Sequence, residues 1–248
     1  SVSPTANTTY TLACTGDGGS ASDSVTVSVV QSGTFTIAGR TIIDPDGNEF
    51  IPIGANANGP HWVWNDTFIG ESARAEKWRW NTMRVNMCWP EGCPDVGGWN
   101  WDTNNDLDGI IQEYTAKKIV IMIELHQFTG ADTLSTEDAA RLVTFWTDLA
   151  NQYKNNPYVW FNILNEPVTG GQSSLSAWLA MTEPSIAAIR GTGANNVIVV
   201  DGSMWGQEAE DWSCGETSAA DSAFLAHVPY LRDTYGNILP SVHMYGVW

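Results

Sequence analysis

The sequence predicts an α/β fold: a (β/α)8 TIM barrel truncated after strand six and preceded by a short β-hairpin remnant. Three observations carry this prediction. From residue 50 onward, apolar runs of strand length alternate with segments of helical period. The runs are almost continuously apolar, as strands covered on both faces of a parallel sheet must be. No glycine-rich phosphate-binding turn follows the first run, which argues against a doubly wound sheet.

The expected strands cover 50–55, 82–87, 119–125, 159–164, 197–200 and 238–243. Helices are expected at 71–78, 107–116, 136–153, 175–190 and, more weakly patterned, 219–230. Ser135 followed by Asp138 gives the third helix a capped start. Six such units match about three quarters of an eight-fold barrel, which takes about 250 residues when complete. Ahead of them, Phe35-Thr-Ile37 and Arg40-Thr-Ile-Ile43 frame a short hairpin, and Asp44-Pro-Asp-Gly-Asn48 turns the chain. That acidic turn lacks the downstream Glu of a calcium loop, and Asp-Gly between strands is first a hairpin turn.

Residues 1–31 differ in character. Thr8 to Cys14 and Ser24 to Val30 alternate as strands around Gly16-Asp-Gly-Gly19. Two strands alone are marginal in water. They read as the C-terminal hairpin and linker of an immunoglobulin-like module, with residues 32–248 as an incomplete (β/α)8 domain. A hairpin merely decorating the main domain is the alternative. The first residue is Ser1, no signal peptide is visible, and the expectation is a chain that has been processed, trimmed or cut.

Composition narrows the partners. The chain of 248 residues carries a formal charge of −17, which would repel nucleic-acid backbones and anionic membrane surfaces. Its apolar runs, such as 119–125, are too short to span a bilayer. No nucleic-acid or membrane partner is expected, and the surface suits a neutral polymer. The 13 tryptophans suit sugar stacking as well as core packing. Cys88 and Cys93 bracket Trp-Pro-Glu-Gly and could close a short disulfide loop; a zinc site lacks further ligands at suitable spacing. Cys14 and Cys214 have no obvious partners. A disulfide would agree with export.

Active sites of such barrels gather at the C-terminal ends of the strands. Those ends carry one polar group after another. The first leads into Asn56-Ala-Asn58-Gly-Pro-His61-Trp62-Val-Trp64, and the second carries Arg84 and ends at Cys88-Trp89. The third ends Glu124-Leu-His126, and the fourth Asn165-Glu166-Pro167. Asp201 ends the fifth, with Trp205 following, and the sixth closes on His243-Met-Tyr245. Isolated buried carboxylates are costly unless a partner or a function retains them.

The fourth run, Tyr158-Val-Trp-Phe-Asn-Ile-Leu-Asn-Glu-Pro167, ends in the Asn-Glu-Pro signature of barrel glycosidases. With Arg84, His126 and His243-Met-Tyr245 in order on consecutive strands, residues 35–248 resemble glycoside hydrolase family five. The resemblance implies an endo-acting, retaining β-1,4-glycan hydrolase of cellulase or mannanase type. In it Glu166 is the general acid/base and Asn165 binds the sugar 2-hydroxyl. Arg84 and Tyr245 hold the nucleophile, and His126 and His243 line the subsites.

Asn58, His61, Trp62, Trp64, Trp89 and Trp205 are the expected substrate contacts, with Trp99 and Trp101 as further loop aromatics. Trp146, Trp160 and Trp178 read as core. No cofactor or metal is expected. The partner is a polysaccharide, and the protein is expected to be a monomer, secreted, extracellular and bacterial. A carbohydrate-binding protein without catalysis, on a barrel of glycosidase descent, is the alternative.

The family supplies its nucleophile as a Glu ending strand seven, and the sequence reaches Trp248 just past strand six. The expectation is therefore that the nucleophile is missing from this chain and that the fragment is inactive. Asp44, Glu124 and Asp201 are the substitutes on offer; Asp201, which ends a strand, is the least implausible, but the resemblance gives it no such role.

Overall fold

The computed structural model describes residues 8–27, 33–58, 72–89, 105–169, 172–208 and 222–245. Strands β1 (Thr8–Gly16) and β2 (Gly19–Val27) form an antiparallel hairpin in which Gly16 pairs with Gly19 across the turn. Among the described residues these two strands pair only with each other. Cys14 is a free, exposed thiol.

A small antiparallel sheet follows, made of β3 (Thr36–Ala38), β4 (Thr41–Ile43) and β5 (Glu49–Phe50). The acidic turn between β4 and β5 is held from within. Asp44 Oδ1 accepts the backbone N–H groups of Asp46 at 2.9 Å and Asn48 at 2.8 Å. Lys118 pairs with Asp46 at 2.6 Å and fastens the turn to the main domain.

Six parallel strands then pair in chain order: β6 (Gly54–Asn58), β7 (Thr82–Met87), β8 (Val120–Leu125), β9 (Val159–Asn162), β10 (Ile198–Asp201) and β11 (Ile238–Ser241). Five helices fill the crossovers: α1 (Ser72–Trp78), α2 (Asn105–Thr115), α3 (Thr136–Tyr153), α4 (Gln172–Gly191) and α5 (Ala223–Tyr235). Sequential parallel order with a helix at each crossover makes these the strands of a (β/α)8 barrel.

Alternation along the strands sorts the core into two bodies. Outward residues such as Val85, Ile121, Ile123, Phe161 and Ile198 pack against the helices. Inward residues Val120, Trp160, Val197 and Val199 form a second cluster around Phe35, backed by Ile37, Ile42 and Phe50. Phe35 meets Phe50, Tyr158 and Trp160 edge to face, with centroids 4.9, 5.3 and 5.2 Å away. The small sheet is thus a floor under the N-terminal ends of the strands. Asn237 ties it down, accepting from Ile37 N at 3.1 Å and donating to Phe35 O at 3.0 Å.

Trp146, Trp160 and Trp178 are each fully buried. Two of them peg helices to strand ends: Trp146 Nε1 donates to Ile163 O at 3.1 Å and Trp178 Nε1 to Asp201 O at 2.9 Å. Burial of the indoles is compatible with their polar edges because each of these two N–H groups finds a carbonyl.

Two elements differ from expectation. The first strand was expected at 50–55, yet Phe50 belongs to the floor and β6 starts at Gly54. Ile51 and Ile53 are exposed, and Asn81 substitutes for a strand neighbour. Its Oδ1 accepts from Ile53 N at 2.7 Å, and its Nδ2 donates to Ile51 O at 2.8 Å. The last helix starts at Ala223, capped by Ser222, and continues through Pro229 to Tyr235.

Helix α3 matches its expected span because its start is written locally. Ser135 Oγ accepts from Asp138 N at 3.0 Å, and Glu137 and Asp138 face the positive end of the helix dipole. Ser135→Ala should destabilise the protein by about 1 kcal/mol, read as a lower urea midpoint with unchanged slope.

Candidate active site

The inward rows that are apolar near the floor turn polar at the other end. Period-two alternation brings Arg84 of β7, Glu124 of β8, Asn162 of β9 and Asp201 of β10 inside the sheet. Glu124 and Asp201 carry fully buried side chains, and Arg84 lies between them with 13% of its side chain exposed. Its guanidinium donates to Asn162 Oδ1 at 2.7 Å, Asn165 Oδ1 at 3.0 Å and Asp201 Oδ2 at 3.1 Å, and stands 3.4 Å from Glu124 Oε2. A planar fork of donors can meet acceptors on four sides; an ammonium cannot.

Above this layer sits Glu166, with 13% of its side chain exposed. Its backbone is left-handed, φ 46°, a conformation rare for a residue with a Cβ. Hydrogen bonds on both sides hold it there: Glu166 N donates to Asp201 Oδ2 at 3.3 Å, and Gly130 N donates to Glu166 O at 2.8 Å. Backbone strain retained in this way concentrates at functional sites.

The Glu166 carboxyl meets two partners from the end of β11. His243 Nδ1 lies 2.7 Å from Oε1, and the Tyr245 hydroxyl donates to the same oxygen. The far side of the imidazole faces Asp201, with Nε2 3.1 Å from Oδ2. Burial opposes a charge on His243, but hydrogen bonds to Asp201 and Glu166 outweigh it and lift the pKa to about 9. Burial likewise opposes charge on Asp201, and His243 and Arg84 overcome it, holding that carboxyl below its ordinary value. Tyr245 is pushed up to about 12, by burial first and then by its bond to Glu166.

His243 therefore stabilises the fold while it is charged. That contribution is complete below its ordinary value of 6.5 and is lost as pH rises through about 9. Unfolding free energy should decline across this window, and His243→Gln should flatten the decline.

Asn165 is buried, its Oδ1 bound to Arg84 and its Nδ2 donating to Thr129 Oγ1 at 3.1 Å. The amide nitrogen keeps a second hydrogen, which the site can direct at a ligand. His126 Nδ1 lies 3.1 Å from Asn86 Nδ2 and 3.3 Å from Glu124, about a third exposed. Burial lowers its pKa, but Glu124 reverses the effect and the net shift is upward.

The expected aromatic contacts divide. Trp205 is half-buried, follows β10, and rests its indole on Gly130, where any Cβ would collide with the ring nitrogen. Trp89 requires a correction. It is only 6% exposed, with the Arg141 guanidinium 4.1 Å above its ring and Phe128 packed edge to face at 5.0 Å. Buried among these neighbours, it is packed into the protein rather than presented to a sugar.

Asn58 ends β6 in register with Asn86. His61, Trp62, Trp64, Trp99, Trp101 and Cys93 lie outside the described residues. Cys88 is disulfide-bonded. Among the described residues no cluster of three His, Cys, Asp or Glu side chains could hold a metal ion.

The sequence offers Glu124 and Asp201 only as strand ends and substitute nucleophiles, and Asn162 goes unread. Alternation places all three inside the sheet. Each lies an even number of residues from an inward apolar neighbour, Val120, Trp160 and Val199 respectively.

A strained glutamate at the fourth strand end of a parallel barrel, beside a buried Asn and bracketed by His and Tyr, is the arrangement of a barrel glycoside hydrolase. The sequence agrees: residues 43–248 match the family model "Cellulase (glycosyl hydrolase family 5)", and the chain belongs to that family.

Among its relatives is a mannan endo-1,4-β-mannosidase of Cellvibrio japonicus, 28% identical over 89% of this chain and 47% of the relative. A second, from Streptomyces lividans, is 26% identical over 88% of this chain and 52% of the relative. The chain thus spans about half the length of these curated relatives. Among solved structures, the β-mannanase from Thermomonospora fusca superposes with a TM-score of 0.67 at 25% identity, covering 87% of this chain and 66% of that one.

Proposed function

We propose that this chain carries the acid/base side of an endo-acting β-1,4-glycan hydrolase that works by retaining double displacement, with mannan as the preferred backbone. The observation that carries the reading is the Glu166 carboxyl, held at a strained backbone and hydrogen-bonded by His243 and Tyr245. Both named relatives act on mannan, which favours mannan over cellulose-type glucan.

In the proposed reaction Glu166 gives its proton to the glycosidic oxygen as the C1–O bond breaks. A second carboxylate attacks C1 and forms a glycosyl-enzyme. Glu166, now ionised, takes a proton from water, which displaces the enzyme carboxylate with overall retention. His243, donating through Nδ1, fixes the carboxyl in place for both proton transfers. Asn165 meets the sugar 2-hydroxyl, and Trp205 offers a stacking face.

Asp201 and Glu124, the carboxylates ending the flanking strands, are wholly buried and committed to Arg84. We assign the nucleophile to neither, and place it outside the described residues.

The Cys88 disulfide and a polymeric substrate both support action outside the cell. Among the described residues no helix is long and apolar enough to cross a membrane.

Product profiles of the whole protein on galactomannan, glucomannan and carboxymethylcellulose test the reading. Internal cleavage of the first two is expected. Cleavage of carboxymethylcellulose alone would make it a glucanase. No cleavage, with binding to insoluble mannan that survives Glu166→Gln, would make it a binding protein.

A further inference from the structure

Asp201 has no part in the reaction as written above, yet it makes more contacts within the site than any acid/base role requires. It is 1% exposed and ends β10. Oδ1 accepts from Asn162 Nδ2 at 3.0 Å. Oδ2 faces three donors: Arg84 Nη2 at 3.1 Å, His243 Nε2 at 3.1 Å and the backbone N–H of Glu166 at 3.3 Å. These come from β7, from the end of β11 and from the turn after β9.

We propose that Asp201 is the positioning residue of this site, its buried carboxylate holding the His243 ring with Nδ1 aimed at Glu166 while anchoring the strained Glu166 backbone.

The geometry distinguishes this from generic charge pairing. A carboxylate at Nε2 keeps a proton on that nitrogen, so the ring presents its other nitrogen to Glu166. Asp201 and Glu166 therefore grip opposite nitrogens of one imidazole, and the ring cannot turn without breaking both bonds. Asp201 also grips the peptide N–H of Glu166, so the carboxyl and its backbone are fixed from one point.

Gly206 completes the seat. A Cβ there would lie 2.8 Å from His243 Cγ and 2.9 Å from Nδ1, and Gly206 O accepts from His243 N at 2.8 Å. The backbone at Gly206 thus leaves room for the ring where a side chain would displace it. Other charged or titratable groups facing His243 are Arg84 from β7, which lowers its pKa, and Glu166, which raises it; Tyr245 shares the Glu166 oxygen, and Glu124 lies beyond Arg84.

The inference rests on Glu166 being the acid/base, and the test separates the two claims. In the whole protein, Asp201→Asn keeps shape and removes charge. The His243 imidazole, followed by NMR titration, should fall from about 9 toward 6.5. Turnover should fall about a hundredfold with little change in KM, as misplacement of a catalytic group predicts, and the alkaline limb of the rate profile should move to lower pH. A merely structural aspartate would lower stability and leave the pH profile in place.

A drop in the His243 titration of less than about one pH unit overturns the proposal, since that is ordinary scatter among folded-protein histidines. If Asp201→Asn does not fold, Gly206→Ala carries the test by pushing a methyl against the ring while leaving Asp201 intact. It should produce the same two shifts, and an unmoved titration and rate overturn the proposal. Should the wild-type protein hydrolyse no glycan, the functional reading fails, while the titration still decides whether Asp201 governs His243.

Discussion

Arg84→Met should destabilise the protein by about 3–5 kcal/mol, the cost of removing one partner from a buried charge cluster. The side chains of Glu124 and Asp201 have no solvent exposure, and Arg84 is the cation that reaches both, at 3.4 and 3.1 Å. Without it, two buried carboxylates are left with His126 and His243 as their remaining basic partners, and Asn162 and Asn165 lose the donor that orients them. Urea unfolding at neutral pH measures the loss. The penalty should shrink in acid, where carboxylates can take up protons instead of remaining charged. Arg84→Lys should recover little of it, because a point charge cannot reproduce four directed contacts. A neutral-pH loss below about 1 kcal/mol would mean the cluster is solvated like a surface pair, contrary to its burial.

Glu166→Gln should cut turnover on polymer by about 10²–10⁴-fold, the usual contribution of a positioned acid/base. The replacement keeps length and planarity and retains an oxygen for His243 and Tyr245, so unfolding should change little. The loss should depend on the leaving group. An aryl glycoside whose phenolate departs without a proton should lose far less in its first step than a sugar leaving group, because only the second step then needs the missing base. Equal losses on both substrates would remove the acid role from Glu166.

Strand and helix alternation was readable because burial on both faces writes itself into the sequence. Strand 82–87 and helix 136–153 were read to the residue, the first from its apolar period and the second from its Ser135 cap. The first strand was misread because Phe50-Ile-Pro-Ile53 is apolar for different reasons: Phe50 fills the floor while Ile51 and Ile53 are exposed. No local pattern separates those cases. The last helix, expected at 219–230, starts instead at its Ser222 cap and carries Pro229 inside as it runs on to Tyr235.

At the site, strand-end polarity brought out Glu166, Asn165, His243 and Tyr245. Trp89 was misassigned because Arg141, which covers its face, comes from a helix about fifty residues further along the chain. The connections of Asp201 were hidden for the same kind of reason. Its donors lie on separate elements far apart in the chain, and only the assembled sheet brings them to one carboxylate.

The end of the β10 loop has its own anchor. Glu208 Oε2 accepts from Ser203 N at 2.9 Å, and its Oε1 accepts from Ser222 Oγ at 2.6 Å and Phe224 N at 2.7 Å. Residue 208 is thereby pinned to the first turn of α5, so one carboxylate fastens the loop that carries Trp205 and Gly206 to the helix that follows it. The seat of the His243 ring and the start of α5 therefore share a single bolt, and loosening it would unsettle both together.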